Sequence, residues 1–375
     1  VANLHSLLQN LLFTTVHLRI LIWYFLIVLN LVFLFSEEIK IPFETSGHNF
    51  IYVKVKINGK GPFPFRINTG ITDDFVIDKD LADKLEIKDY ASSISIENFE
   101  LKNVKVKTIS LSYLKKGDEI IDGEIGNGFL KDFVVHLDYE NNYIILYSPS
   151  SYKGEYENPV KLMNKNGLYC VEAKLNDKYT GIFFLDTALE NMVKITSHFA
   201  KLHSLDKLPI LFSSHTRSLL GDEMQTNYTL NKFQFDNIIL HNLTLRITRQ
   251  RISEECDGGI GWVIMRGFNW TFDLERNKAY ITKNAKYNIN ENEFTYYQQG
   301  KMYMEGKKYK DAIDSFKSSL KFNCKYLPAN YALLHAYFIT EKYKEVISLA
   351  EEILKFYPNS VVAKVYKHQA EEKMK

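Results

Sequence analysis

The stretch Ile51-Tyr-Val-Lys-Val-Lys-Ile-Asn58, continued by Gly59-Lys60 and Phe65-Arg-Ile-Asn68-Thr69-Gly70, recurs 118 positions later in the same chain. The second copy reads Tyr169-Cys-Val-Glu-Ala-Lys-Leu-Asn176, Asp177-Lys178 and Phe183-Phe-Leu-Asp186-Thr187-Ala188. In both, apolar residues alternate with polar ones at period two, the pattern of a half-buried strand, and Asn-Gly or Asn-Asp supplies a tight hairpin turn. Each copy therefore predicts a hairpin that delivers a polar triplet at its end.

A second pair of blocks matches at an offset of 135. Asp122-Gly-Glu-Ile-Gly126, then Leu130, Phe133 and Leu137-Asp138, aligns with Asp257-Gly-Gly-Ile-Gly261, then Met265, Phe268 and Phe272-Asp273. Between the blocks each copy carries a short apolar-periodic stretch, Leu81 to Leu85 and Phe199 to Leu202, that predicts one or two helical turns. The unequal offsets place extra residues in the second copy around His203 to Thr226, which we expect to form a loop. A repeat of this size decides the architecture before any motif is weighed. The chain should hold two similar β lobes, residues 37–150 and 151–284, joined by the polar segment Ser148 to Pro159.

The order of hydrophobic strand, Asp-Thr-Gly, short helix, Ile-Gly and closing strand resembles a lobe of the aspartic peptidases, most closely the retropepsin-like and pepsin-like proteins with two lobes in one chain. The resemblance covers roughly residues 38 to 283 and implies a mainly β fold of two pseudo-symmetric barrel lobes. It implies a protease, a hydrolase of peptide bonds, in which each lobe brings one Asp to a shared cleft. Two carboxylates that close cannot both ionise cheaply, so one acts as base on a water while its protonated partner polarises the scissile carbonyl.

Carried onto this sequence, the resemblance places Asp186 in the second lobe and Asn68 in the first, a degenerate dyad. Thr69 and Thr187 match the hydroxyls that hold the triplets rigid across the lobes, Gly70 is retained, and its counterpart is Ala188. A carboxamide is nearly isosteric with a protonated carboxyl and donates hydrogen bonds, yet it cannot exchange the proton. Two readings follow: a pseudoenzyme that binds extended peptide between its lobes, and a working aspartic-type endopeptidase in which Asp186 activates water with Asn68 or a nearby acid. Asp73-Asp74 is such a candidate, although solvation or N-capping is the plainer role. Asp138 and Asp273 are expected at the surface, and by position the flap would fall in Phe99 to Leu114. No metal and no cofactor is called for.

Net charge is only +2 with acids and bases interleaved, so a broad field for nucleic acid is excluded and a peptide or protein partner is expected. There is no phosphate-binding Gly loop, no HExxH and no GxSxG elbow. The odd cysteine count leaves at least one unpaired, and Cys170 and Cys256 read as buried free thiols that are also placed to bridge within one lobe. Three sequons, at Asn227, Asn242 and Asn269, matter only in a glycosylating pathway. Ile20 to Phe35 is an apolar run preceded by Arg19 and followed by Glu37-Glu38. That order predicts that residues 1–36 form a signal peptide or a membrane anchor, and hence an exported protein: periplasmic, envelope-anchored or extracellular.

Beyond Lys283 the period changes to 3.6 after an Asn-rich hinge, Asn284 to Asn292. Lys307 to Phe322 recurs 34 positions later as Glu341 to Phe356, identical at seven of sixteen positions. The period resembles that of tetratricopeptide repeats, as do Gly300, Tyr303, Ala312 and Pro358. Residues 292–375 are therefore expected to form a small TPR-like all-α domain of two repeats and a final helix, stacked on lobe two as a brace or a protein-binding groove. Two lobes in one chain remove the need for a dimer, so a monomer is expected.

Overall fold

The computed structural model of the chain describes residues 38–112, 120–154, 158–218, 221–248 and 255–375. The expected leader over residues 1–36 lies outside them. No helix among the described residues is long and apolar enough to cross a membrane.

Each half forms an eight-stranded sheet, and in lobe two a further pairing of Leu168–Leu175 with Gly221–Phe235 closes it over. In lobe one, the hairpin Ile51–Ile57/Lys60–Ile67 runs through Asn58 and Gly59, both at positive φ, as a primed turn demands; the matching hairpin Leu168–Leu175/Tyr179–Leu185 turns at Asn176 and Asp177, also both positive. The second strand of each hairpin pairs in parallel with a short strand from the Ile-Gly block, Gly123–Ile125 in lobe one and Gly258–Ile260 in lobe two. That short strand pairs antiparallel with Phe75–Asp78 or Val193–Thr196. The chain leaving the polar triplet must therefore cross over the end of the Ile-Gly strand. A Cβ on Gly126 would lie 2.3 Å from the Asp73 carbonyl oxygen, and one on Gly261 would lie 1.9 Å from that of Asn191. This crossing is why Ile-Gly survives in both copies. Helices α1 (Lys79–Lys84) and α3 (Ser197–Leu202) sit where the apolar-periodic stretches predict them, and α2 (Asn127–Leu130) and α4 (Trp262–Met265) follow each Ile-Gly block.

A six-stranded sheet joins the lobes, in the order Ile39–Pro42, Tyr143–Tyr147, Val134–Asp138, Phe268–Asp273, Lys278–Lys283, Val160–Lys161. Its two central strands are sequence-equivalent. His136 faces Thr271 across them, with Nδ1 and Oγ1 2.8 Å apart and 135 residues between them, so a residue meets its own counterpart on the pseudo-two-fold axis. The core is continuous across lobes and sheet, from Phe65 and Ile67 through Trp270 to Leu185.

Several expectations need correction. The extra residues of lobe two are not a loop. After a short turn of helix they pair as a hairpin, Ile210–Ser218 with Gly221–Phe235, in which the mostly polar residues from Ser213 to Thr226 hide their pairing from a hydrophobic pattern. Within the region expected to hold the flap, Phe99–Lys105 is an edge strand of lobe one. It pairs with Tyr90–Ile96 as a hairpin whose turn lies past the level of Val55, away from the Asn58 turn, and Phe99 packs on Phe129 and Phe133; residues 113 and 114 lie outside the described residues. Asp273 is buried and paired with Arg276, because two turn donors, the Arg276 guanidinium and amide, close on it. Asn227 is fully buried, which removes it as a glycan acceptor in the folded chain.

The C-terminal region comprises α5 (Glu293–Glu305), α6 (Tyr309–Phe322), α7 (Leu327–Ile339), α8 (Tyr343–Phe356) and α9 (Val361–Lys373). Gly300 lets α5 and α6 close, since a Cβ there would meet the Phe316 ring at 2.4 Å. The Asn-rich segment is no loose hinge. Asn284 and Asn292 are buried; Asn284 Nδ2 donates to the Arg266 carbonyl, and Asn292 caps α5 by accepting from the amides of Phe294 and Thr295. The helices dock on both lobes rather than on lobe two alone. The Leu327 amide donates to the Gly47 carbonyl, Asn49 Nδ2 donates to Glu293 Oε1, and Arg266 pairs with the same carboxylate at 2.7 Å.

Candidate active site

The backbone amides of Asn68 and Asp186 donate to the carbonyls of Ile125 and Ile260, both at 2.9 Å, so the same crossing presents both residues. Asn68 Oδ1 accepts from the Gly70 amide at 2.9 Å, and Asp186 Oδ1 accepts from the Ala188 amide at 2.7 Å. The two side chains thus hold equivalent orientations about the axis. A Cβ on Gly70 would lie 2.4 Å from Asp186 Oδ2, so Gly70 is required by the closeness of the opposite carboxylate and not by its own φ. Ala188 is absent from the positive-φ residues, which is why its methyl is tolerated.

The threonines bind the triplets reciprocally. Thr69 Oγ1 donates to the Leu185 carbonyl (2.8 Å) and accepts from the Thr187 amide (3.0 Å). Thr187 Oγ1 donates to the Ile67 carbonyl (2.7 Å) and accepts from the Thr69 amide (3.2 Å). Four hydrogen bonds of about 1 kcal/mol each cross the lobe boundary within one turn of chain. All six residues singled out from the sequence, Asn68, Thr69, Gly70, Asp186, Thr187 and Ala188, come together here. Asp73 is drawn aside by Lys107 at 3.0 Å and Asp74 is exposed, so neither replaces the missing acid.

Two residues of this site escape a motif search. Arg66 and Glu124 are buried side by side, with the guanidinium Nε 2.9 Å from Glu124 Oε1 and its Nη2 also donating to that oxygen. The Arg66 guanidinium lies over the Phe50 ring at 4.9 Å. Asn68 Nδ2 donates to the same Glu124 oxygen at 2.8 Å. In lobe two the equivalent places hold Phe184 and Gly259, whose missing side chain makes room for the Phe184 ring. The signal was present in the repeat: a cation and an anion enter lobe one together, at two positions where lobe two is uncharged.

Asp186 stands among groups of both signs. Burial pushes its pKa up to about 6, the Ala188 amide and the charges of Arg66 and Lys194 oppose that rise, and Glu124 adds to it. A carboxyl whose folded pKa exceeds its unfolded value near 4 is costly to ionise in the fold, so the cost is absent below pH ~4 and complete above pH ~6. Asp186→Asn is therefore expected to stabilise the chain by about 1–2 kcal/mol at pH 7, given the partly open edge of the side chain, and to leave it unchanged near pH 4. Chemical denaturation at the two pH values measures the difference; equal effects at both would remove the burial argument.

These lobes, their crossing triplets and the sheet that joins them define the architecture. The fold is of the aspartic-proteinase type. Comparison with protein-family models and with curated proteins returns no match. Among solved structures, the chain is similar to the basic 7S globulin of soybean, at 9% identity and a TM-score of 0.40, covering 66% of this chain and 96% of that one. It is also similar to an aspartic proteinase from Irpex lacteus, at 10% identity and a TM-score of 0.43, covering 66% of this chain and 98% of that one.

Proposed function

We propose that the chain binds extended peptide between its two lobes as a catalytically impaired member of the aspartic-peptidase type. The observation that carries this reading is the attachment of Asn68 to Glu124 and Arg66. Residue 68 is an amide with one N–H held by a buried carboxylate, so the position is built for a hydrogen-bond donor rather than an acid. One carboxylate, Asp186, then faces the cleft, and loss of an acid/base partner forfeits about 10²–10⁴ in rate. Held amides and a rigid threonine lattice suit the recognition of peptide main chain.

The alternative, a working endopeptidase, draws on one observation. A carboxyl raised to about 6 is a competent base near neutral pH. In that mechanism Asp186 takes a proton from water as the water attacks the scissile carbonyl, and the remaining N–H of Asn68 Nδ2 donates to the developing oxyanion. We further propose that the helices are tetratricopeptide-like, since α6 and α8 begin and end 34 residues apart, and that they present a second protein-binding surface. Export to the periplasm, envelope or exterior as a monomer completes the proposal and rests on the apolar run before Glu37.

A peptide library incubated with the wild type and with Asp186→Ala between about pH 3 and 8 separates the readings. Peptides retained without new termini are expected. Cleavage by the wild type that disappears in Asp186→Ala would establish the endopeptidase, and absence of both retention and cleavage would remove the cleft from either function.

A further inference from the structure

We infer that Cys170 and Cys256 form an intramolecular disulfide when the chain folds in the presence of a disulfide oxidant. Their sulfurs lie 3.4 Å apart and both residues are buried, in a small apolar group with Leu168 and Phe184 that is separate from the main core. Cys170 stands opposite Phe184, and next to Cys256 the Asp257 amide donates to the Ile182 carbonyl of that same strand at 2.8 Å. The two segments are also held in place independently of sulfur. Glu255 lies 3.8 Å from Lys165 Nζ and accepts from Asn166 Nδ2 at 3.3 Å. Closing a bond of about 2.05 Å asks the sulfurs to approach by only ~1.4 Å.

The hydrogen bond with Cys256, together with burial, holds the Cys170 thiol far above its ordinary range, so thiolate is scarce once the fold has closed. Oxidation therefore belongs to folding, before the sulfurs are shut in. With oxidised glutathione, one cysteine thiolate attacks a glutathione sulfur and expels glutathione thiolate. The second cysteine thiolate attacks the mixed disulfide and expels the other. Two cysteine protons pass to solvent and two electrons to glutathione. The bridge closes a ring across an 86-residue separation that contains Asp186 and the lobe-two hairpin, and so ties the strand carrying the carboxylate into a covalent loop.

Cys324 is exposed and lies outside the ring, so the test uses Cys324→Ser to exclude exchange between molecules. This variant is refolded in a reduced/oxidised glutathione buffer, denatured, alkylated and weighed. The expected product has lost two hydrogens and carries no alkyl group. Against the same protein refolded in excess reductant, its Tm is expected to be higher by about 5–10 °C. Two alkyl groups per chain under oxidising refolding would overturn the inference.

Discussion

Arg66→Ala is expected to lower the unfolding free energy by about 3–5 kcal/mol, one of the largest stability losses open to a single substitution in this chain. The cost is not the loss of an attraction between Arg66 and Glu124. It is the stranding of a carboxylate whose surroundings exclude water, because taking away one member of a buried ion pair leaves the other uncompensated. Both side chains are nearly inaccessible, so solvent cannot enter without local unfolding. The converse experiment tells the two explanations apart. Arg66→Phe with Glu124→Gly copies the wall of lobe two into lobe one, and it should stand within about 1–2 kcal/mol of the wild type, the residue being the lost partner of Asn68. Urea unfolding of both variants measures this. A single variant that loses less than about 1 kcal/mol would mean the pair is solvated after all.

Asn68→Asp, the substitution that restores the aspartic triplet on paper, is expected to yield no more than about a tenfold gain in peptide hydrolysis. It places a carboxylate where an amide now donates to Glu124 at 2.8 Å, with Asp186 across the axis. Two carboxylates at hydrogen-bond distance share a proton, so the new acid is neutralised against Glu124 instead of being paired with Asp186. The same substitution should destabilise the chain at neutral pH and less so in acid, since protonation restores the donor. Adding Arg66→Phe and Glu124→Gly removes the competing carboxylate, and the triple variant is expected to exceed the wild type by about 10²–10⁴ in kcat/KM on a cleavable library peptide. Full activity in Asn68→Asp alone would show that Glu124 does not govern residue 68. No activity in the triple variant would show that the cleft lacks more than an acid.

Much of this architecture was legible because the sequence says it twice. The period-two blocks, their Asn-Gly and Asn-Asp turns and the repeated Ile-Gly each report a backbone requirement, and a requirement met in both copies is hard to mistake. Thr69 and Thr187 were found for the same reason. What the sequence concealed falls where the copies differ. The part of the hairpin from Ser213 to Thr226 is held by main-chain pairing along mostly polar residues, which leaves little hydrophobic alternation to read. Asn284 and Asn292 read as a hinge because asparagine favours turns, yet here their amides are buried donors and caps. Arg66 and Glu124 are 58 residues apart and become neighbours only through a parallel pairing of strands, so nothing local announces their contact.

The pairing of His136 with Thr271 has an evolutionary meaning. In an assembly of two identical subunits, any residue on the symmetry axis faces a copy of itself, and every substitution is made twice. Fusing the halves breaks that bond between a mutation and its mirror image. An imidazole can then answer a hydroxyl at one level of the axis, and at another an amide can stand across from a carboxylate. Duplication inside one gene let the two halves age separately, and the charged wall of lobe one records a specialisation that no symmetric ancestor could have tried on one side alone.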